Sequence, residues 1–353
     1  MRRLILLTLL AAVMLGLPLD GQVRRAAAEP NEICAEPHQD VATPLNDLGA
    51  SFYIRMDGTP TGFQGGLYPG GVNSRPAGHE AGGLAQAGQI QPLDLSGSPD
   101  PVNGKIGLIS IGMSNTAMEF RTFRQFALAD PAVNPQVVFI NGAQAGVTAE
   151  QWIDPDAASW VEALRRVEEL GLSAEQVQAA WVKLTLIGQG DFPQEAQLLQ
   201  SYLELTAQNL LINFPNVKLA YFSSRTRSYL AWIGLDPEPS AYESGFAVKW
   251  LVEQQISGDP GLNYDPEQGT VAAPWISWGP YLWADGENPR SDGLTWLQED
   301  LIGDCTHPTD LGEAKAAGMM LDFFRTDSTS RSWFLAAPPR FYLPLMAFSS
   351  SAW

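Results

Sequence analysis

Between residues 105 and 324 the chain alternates short apolar runs with longer stretches of helical spacing. This alternation constrains the fold more than any other feature. The runs at 105–111, 136–140, 181–187 and 217–223 are rich in β-branched and aromatic residues and too short for buried helices, so they read as strands. Helical periodicity fills 118–128, 157–170, 173–180, 194–213, 244–255 and 311–324, with Ser173 expected as an N-cap. Residues 275–278 read as a fifth strand or an ordered loop. Strands that alternate with helices specify an α/β architecture, a parallel sheet covered by helices on both faces.

The flanks differ in kind. Residues 1–28 read as an export signal: Arg2 and Arg3, then an apolar stretch, then Ala26-Ala27-Ala28 as a small-residue cleavage site. An uncleaved anchor is the alternative, although the apolar run is short for a membrane span. Residues 29–104 form a Gly/Pro-rich lead-in, and 57–104 read as loop-bearing segments packed on the core. The main domain is expected at 105–333, with a C-terminal tail at 334–353. The mature chain is therefore expected to be secreted or periplasmic, without stable membrane insertion after cleavage.

The formal net charge is −18, and the signal segment is itself basic. So acidic a surface repels phosphate backbones and excludes nucleic acid as a partner. Of the two cysteines, Cys34 and Cys305, neither belongs to a Cys-x-x-Cys or paired-histidine spacing, so no metal site is expected. In an oxidising compartment the pair reads as a disulfide. Two unpaired buried thiols are the alternative.

Three histidines are present: His38, His79 and His307. His307 follows Asp304 by three residues in a loop that leads into the last helical run. That spacing lets a carboxylate fix one imidazole tautomer while the other ring nitrogen faces a nucleophile. Ser114, in Gly112-Met113-Ser114-Asn115-Thr116, lies at the carboxyl end of the first strand, where parallel sheets build their sites. A serine there is also a good helix cap. Gly142 follows the second strand and offers a backbone N–H; Gln189, in Gly188-Gln189-Gly190-Asp191, follows the third and offers an amide.

These blocks, in this order, resemble those of the SGNH (GDSL-like) hydrolase family, in particular its sialate O-acetylesterase-like and carbohydrate esterase branch. Gly112 to Asn115 resembles the first block, Gly142 the second, and Asp304-x-x-His307 the last, over roughly residues 105–325. The third block departs: Gly190 stands where many members carry an oxyanion-binding asparagine, and Gln189-Gly190-Asp191 approaches the Gln-Gly-Glu of the acetylesterase-like branch. The resemblance implies a three-layer α/β/α, flavodoxin-like sheet of about five strands. It also implies an esterase acting on O-acetyl groups of a carbohydrate or small-molecule ester, through Ser114, His307 and Asp304 and without a cofactor. The oxyanion donors would be the Ser114 and Gly142 N–H groups and Gln189. Asn115 is a fallback oxyanion donor or substrate contact, or else orients the nucleophile turn.

Trp275, Trp278, Tyr281, Trp283 and Trp296 cluster just upstream of the Asp–His loop. Aromatic faces stack well on sugars. Trp278 and Trp283 are therefore candidate substrate contacts and the others candidate core, with Arg290 and Asp285 as polar neighbours. Two other readings remain. An α/β-hydrolase esterase needs Gly-x-Ser-x-Gly, and Thr116 occupies the last position. A non-catalytic carbohydrate-binding protein would keep the fold without the chemistry.

Overall fold

β-branched and aromatic runs pair as strands here because a central parallel strand is buried on both faces and tolerates almost no polar side chain. The computed structural model describes residues 39–188, 190–229 and 235–336. In chain order the elements are α1 (Leu45–Leu48), β1 (Phe52–Ile54), β2 (Pro60–Gln64), α2 (Ala77–Ala87), β3 (Ile106–Gly112), α3 (Ser114–Ala129), β4 (Val137–Asn141) and α4 (Ala158–Glu169). They continue with β5 (Val177–Lys183), α5 (Gln194–Asn213), β6 (Leu219–Phe222), α6 (Ser240–Ile256), β7 (Trp275–Trp278), α7 (Asp310–Thr326) and α8 (Arg331–Phe334).

Strands β3 to β7 form one parallel sheet in the order β4-β3-β5-β6-β7. Numbered within the sheet this is 2-1-3-4-5, the flavodoxin-like doubly wound order, with its switch point between β3 and β5. Side-chain alternation divides the core in two. Ile109 and Ile111 of β3, Val182 of β5 and Phe222 of β6 pack with Trp160 of α4, Leu203 of α5 and Phe246 of α6. Leu108, Trp181 and Tyr221 point the other way and pack with Phe120 and Phe123 of α3 and Met320 and Phe324 of α7. The result is the expected three-layer α/β/α architecture.

Two expectations need correction. The segment 173–180 is not a helix: a 3₁₀ turn at Ala174–Gln176 is followed at once by β5, so the third strand starts and ends four residues earlier than its apolar run suggests. Tertiary contacts override the helix propensity of Ala179 and Ala180. The glutamines that look solvent-facing are buried and satisfied from the lead-in: Gln176 donates to the Leu93 carbonyl at 2.6 Å, and Gln178 to that of Gln91 at 2.8 Å.

The second correction concerns 57–104. It carries regular structure, the β1–β2 hairpin ending at Gln64 and helix α2. Three glycines weaken the helical signal of α2. Gly83 is there for close approach: a Cβ would stand 2.4 Å from the Trp275 ring. Residues 1–38, including Cys34 and His38, and 337–353, most of the C-terminal tail, lie outside the described residues. Among the described residues no helix is long and apolar enough to cross a membrane.

Candidate active site

The sequence places Ser114 first in α3, directly after β3, at the switch point of the sheet. As the first helical residue its backbone N–H has no intrahelical acceptor, and it lies at the positive end of a 16-residue helix. Its Oγ stands 2.6 Å from His307 Nε2, across 193 residues of sequence. His307 Nδ1 stands 2.5 Å from Asp304 Oδ2. An ionised carboxylate only accepts, so Nδ1 carries a proton, and in the neutral imidazole the Nε2 lone pair receives the Ser114 hydroxyl.

Asp304 is suited to that part. Partial burial pushes its carboxyl up, but hydrogen bonds from the His307 N–H, the imidazole and the Thr306 N–H outweigh this and hold it below the usual carboxylate range. Those backbone groups donate to Oδ1 at 2.8 and 3.1 Å, leaving Oδ2 for the ring. The loop is pinned at several points. Ile302 N–H donates to the His307 carbonyl at 2.8 Å, and Thr309 N–H to that of Asp300 at 2.8 Å. Ser228 and Thr306 hydroxyls meet at 3.1 Å. Thr309 then caps α7, and Glu313 in its first turn accepts from Arg121 and Thr122 of α3 at 2.7 and 2.6 Å. The helix that follows the base-bearing loop and the helix that bears the serine are thus tied together.

Asn115 is buried, and its Nδ2 donates to the Thr306 carbonyl at 2.8 Å. It faces the Asp–His loop, as a turn-orienting residue does. Gly142 is buried beside β3, where a Cβ would stand 2.6 Å from the Ser110 carbonyl, and its N–H donates to the Ile140 carbonyl at 3.1 Å. Gln189 lies outside the described residues.

The aromatic cluster does not come to the site. Trp278 and Trp283 are 2% and 0% exposed. Their indole N–H groups are taken by the Leu67 carbonyl at 2.7 Å and by Glu238 at 3.0 Å. Trp275, Tyr281 and Trp296 are buried as well. The physical reason is that the lead-in covers β7 and the loop after it. Arg290 is likewise structural, donating to the Tyr281 and Trp283 carbonyls, and Asp285 accepts from the Val41 N–H. His79 is buried against Trp275, with Nε2 2.8 Å from the Ile276 carbonyl.

Sequence reasoning missed a buried pair behind the serine. Lys183, last in β5, donates to both oxygens of Glu119 in α3 at 2.5 Å. Burial lowers the lysine's pKa while Glu119 opposes that shift. Lys183 ends an apolar strand, but nothing in the sequence names Glu119, one of several polar residues in α3, as its partner. Among the described residues no group of three or more histidines, cysteines or carboxylates is placed to hold a metal ion.

No protein-family model and no curated protein matches this chain. Solved structures similar to it include a carbohydrate esterase family 3 protein from Talaromyces cellulolyticus, at 13% identity and TM-score 0.38 over 61% of this chain and 93% of that one. The periplasmic domain of a lipopolysaccharide acetyltransferase from Salmonella ser. Paratyphi A is similar at 15% identity and TM-score 0.35, over 69% and 94%. So is the C-terminal catalytic domain of a peptidoglycan O-acetyltransferase from Streptococcus pneumoniae, at 14% identity and TM-score 0.32, over 63% and 94%. Likenesses this loose carry no weight of their own. The strand order and the Ser114–His307–Asp304 geometry stand on this chain's own structure.

Proposed function

We propose that this chain is an exported serine ester hydrolase that works through an acyl-enzyme on Ser114. The observation that carries the reading is the continuous line of hydrogen bonds from Ser114 Oγ through His307 to Asp304, 2.6 and then 2.5 Å. Ser114 Oγ attacks the ester carbonyl carbon, the carbonyl π pair moves onto oxygen, and the hydroxyl proton passes to His307 Nε2. Asp304 stabilises the imidazolium without taking its proton. Collapse of the tetrahedral intermediate breaks the bond to the alcohol, which leaves with the proton from His307. Water then repeats the sequence on the acyl-enzyme and releases a carboxylic acid and free Ser114.

The oxyanion would sit at the N-terminus of α3, on the Ser114 N–H, where one well-placed donor is worth roughly 3 kcal/mol. Gly142 would join if its bond to Ile140 opened or was shared, and Gln189 is the proposed third donor. An acetyl group on a sugar is the proposed substrate. The block resemblance supports it; an aromatic platform of Trp278 and Trp283 does not, since both are buried. Export rests on residues 1–28. The test is a panel of p-nitrophenyl acyl esters and acetylated sugars given to wild type and Ser114→Ala. Hydrolysis by wild type alone is expected, and equal rates from both would sink the reading.

A further inference from the structure

A fully buried ion pair is a poor way to stabilise a core, because desolvation of both charges offsets their attraction and a well-packed apolar pair does as well. Lys183 and Glu119 are each 0% exposed. Their position suggests another use. Lys183 ends β5 beside β3, across the crevice in which Ser114 stands. It grips α3 twice: its carbonyl accepts from Thr116 Oγ1 at 2.8 Å, and its ammonium donates to both Glu119 oxygens.

Helix geometry gives these two grips a consequence. At 3.6 residues per turn, Thr116 and Glu119 lie about 60° apart around the α3 axis, whereas Ser114 lies about 160° from Thr116. Fixing the first pair onto β5 therefore fixes the rotation of the first turn and aims Ser114 away from the sheet, toward His307. A small rotation would be costly, since misplacement of a reacting atom by about 1 Å can cost roughly a hundredfold in rate. An apolar pair could fill the same volume but would specify no rotation.

We infer that Lys183 and Glu119 are positioning residues that set the rotation of α3 and so the aim of the Ser114 hydroxyl at His307. The inference rests on the proposed role of Ser114. Arg225, also buried and paired with Asp236 at 3.2 Å, is a neighbouring charge, but it makes neither grip on α3.

The test is the double variant Lys183→Met/Glu119→Leu, which removes both charges and leaves none unpaired. Its thermal unfolding should match or exceed wild type. Its kcat, and its rate of inactivation by a fluorophosphonate, should fall at least tenfold with KM within about threefold. Amide hydrogen exchange over residues 114–119 should quicken while α5 stays unchanged. A folded double variant with kcat within threefold of wild type and unchanged exchange would overturn the inference. If the double variant does not fold, Glu119→Gln, which keeps the volume and one acceptor, is judged by the same readings. Failure of wild type to label would overturn the esterase reading instead, and the exchange measurement would still decide the role of the pair.

Discussion

Asn115 Nδ2 donates to the carbonyl of Thr306 at 2.8 Å, so the residue after the proposed nucleophile holds the loop that presents its base. Nucleophile and base lie 193 residues apart and are coupled by their immediate neighbours. Asn115→Ala should lower kcat by roughly ten- to a hundredfold while leaving KM nearly unchanged, because the loss is one of alignment. It should also cost about 1–3 kcal/mol of stability by leaving a buried carbonyl unpaired. Steady-state kinetics and denaturant titration measure both, and an unaltered kcat would remove Asn115 from the account.

Asp304→Asn probes the tautomer. The substituted side chain keeps an oxygen for the Thr306 and His307 N–H groups, so the loop should stay folded. It would present an N–H to Nδ1, driving the proton to Nε2, where it cannot accept from Ser114. A fall in kcat of roughly 10³–10⁴ is expected, with unchanged unfolding temperature. A fall of less than tenfold would mean that Asp304 does not orient the base.

Cys305 is buried at φ 60°, in the turn between Asp304 and His307. We propose that it is bonded to Cys34, which lies outside the described residues. Such a bridge would brace the loop and, in chain-entropy models, contribute roughly 4–5 kcal/mol. Mass spectrometry of unreduced peptides should find Cys34 and Cys305 in one species, and reduction should lower the unfolding temperature. Alkylation of both thiols in the native protein would refute the bridge.

Burial pushes the His79 imidazole down to about 4; the Ile276 carbonyl and Glu80 raise it and Arg75 lowers it. The folded value lies below the unfolded value of about 6.5, so the unfolded chain binds the proton more readily. The stability involved is complete above about pH 6.5 and is lost as pH falls toward 4, on the order of 3 kcal/mol. His79→Gln, whose amide can still donate to Ile276, should flatten stability against pH across that window. An identical slope in variant and wild type would show that another group titrates there.

How much of this was legible in sequence depends on where each signal came from. Helix α5 matches its periodicity from Gln194 to Asn213, since its buried positions Ala196, Leu199, Leu203, Ala207 and Leu210 recur at three- and four-residue spacing. That Ser114, Asp304 and His307 could be brought together was legible because strand ends and a three-residue spacing are local properties. The start of β5 was not, because what keeps Gln176 and Gln178 inside the protein is backbone more than 80 residues earlier. Trp278 and Trp283 misled for the same reason: composition marks them as large aromatic surfaces, and only the fold shows Leu67 of the lead-in against the one and Glu238 and Tyr242 against the other. Lys183 and Glu119 were invisible as a pair because the lysine that ends an apolar strand gives no hint of which polar residue of α3, 64 residues away, it meets.

The central claim is that Ser114 is a nucleophile activated by His307. Incubation of wild type and His307→Ala with a fluorophosphonate, followed by peptide mass spectrometry, tests it most directly. A single adduct on Ser114 in wild type, and none in His307→Ala at the same exposure, is the predicted result. An unlabelled Ser114 in folded wild type, or equal labelling of both proteins, would contradict it.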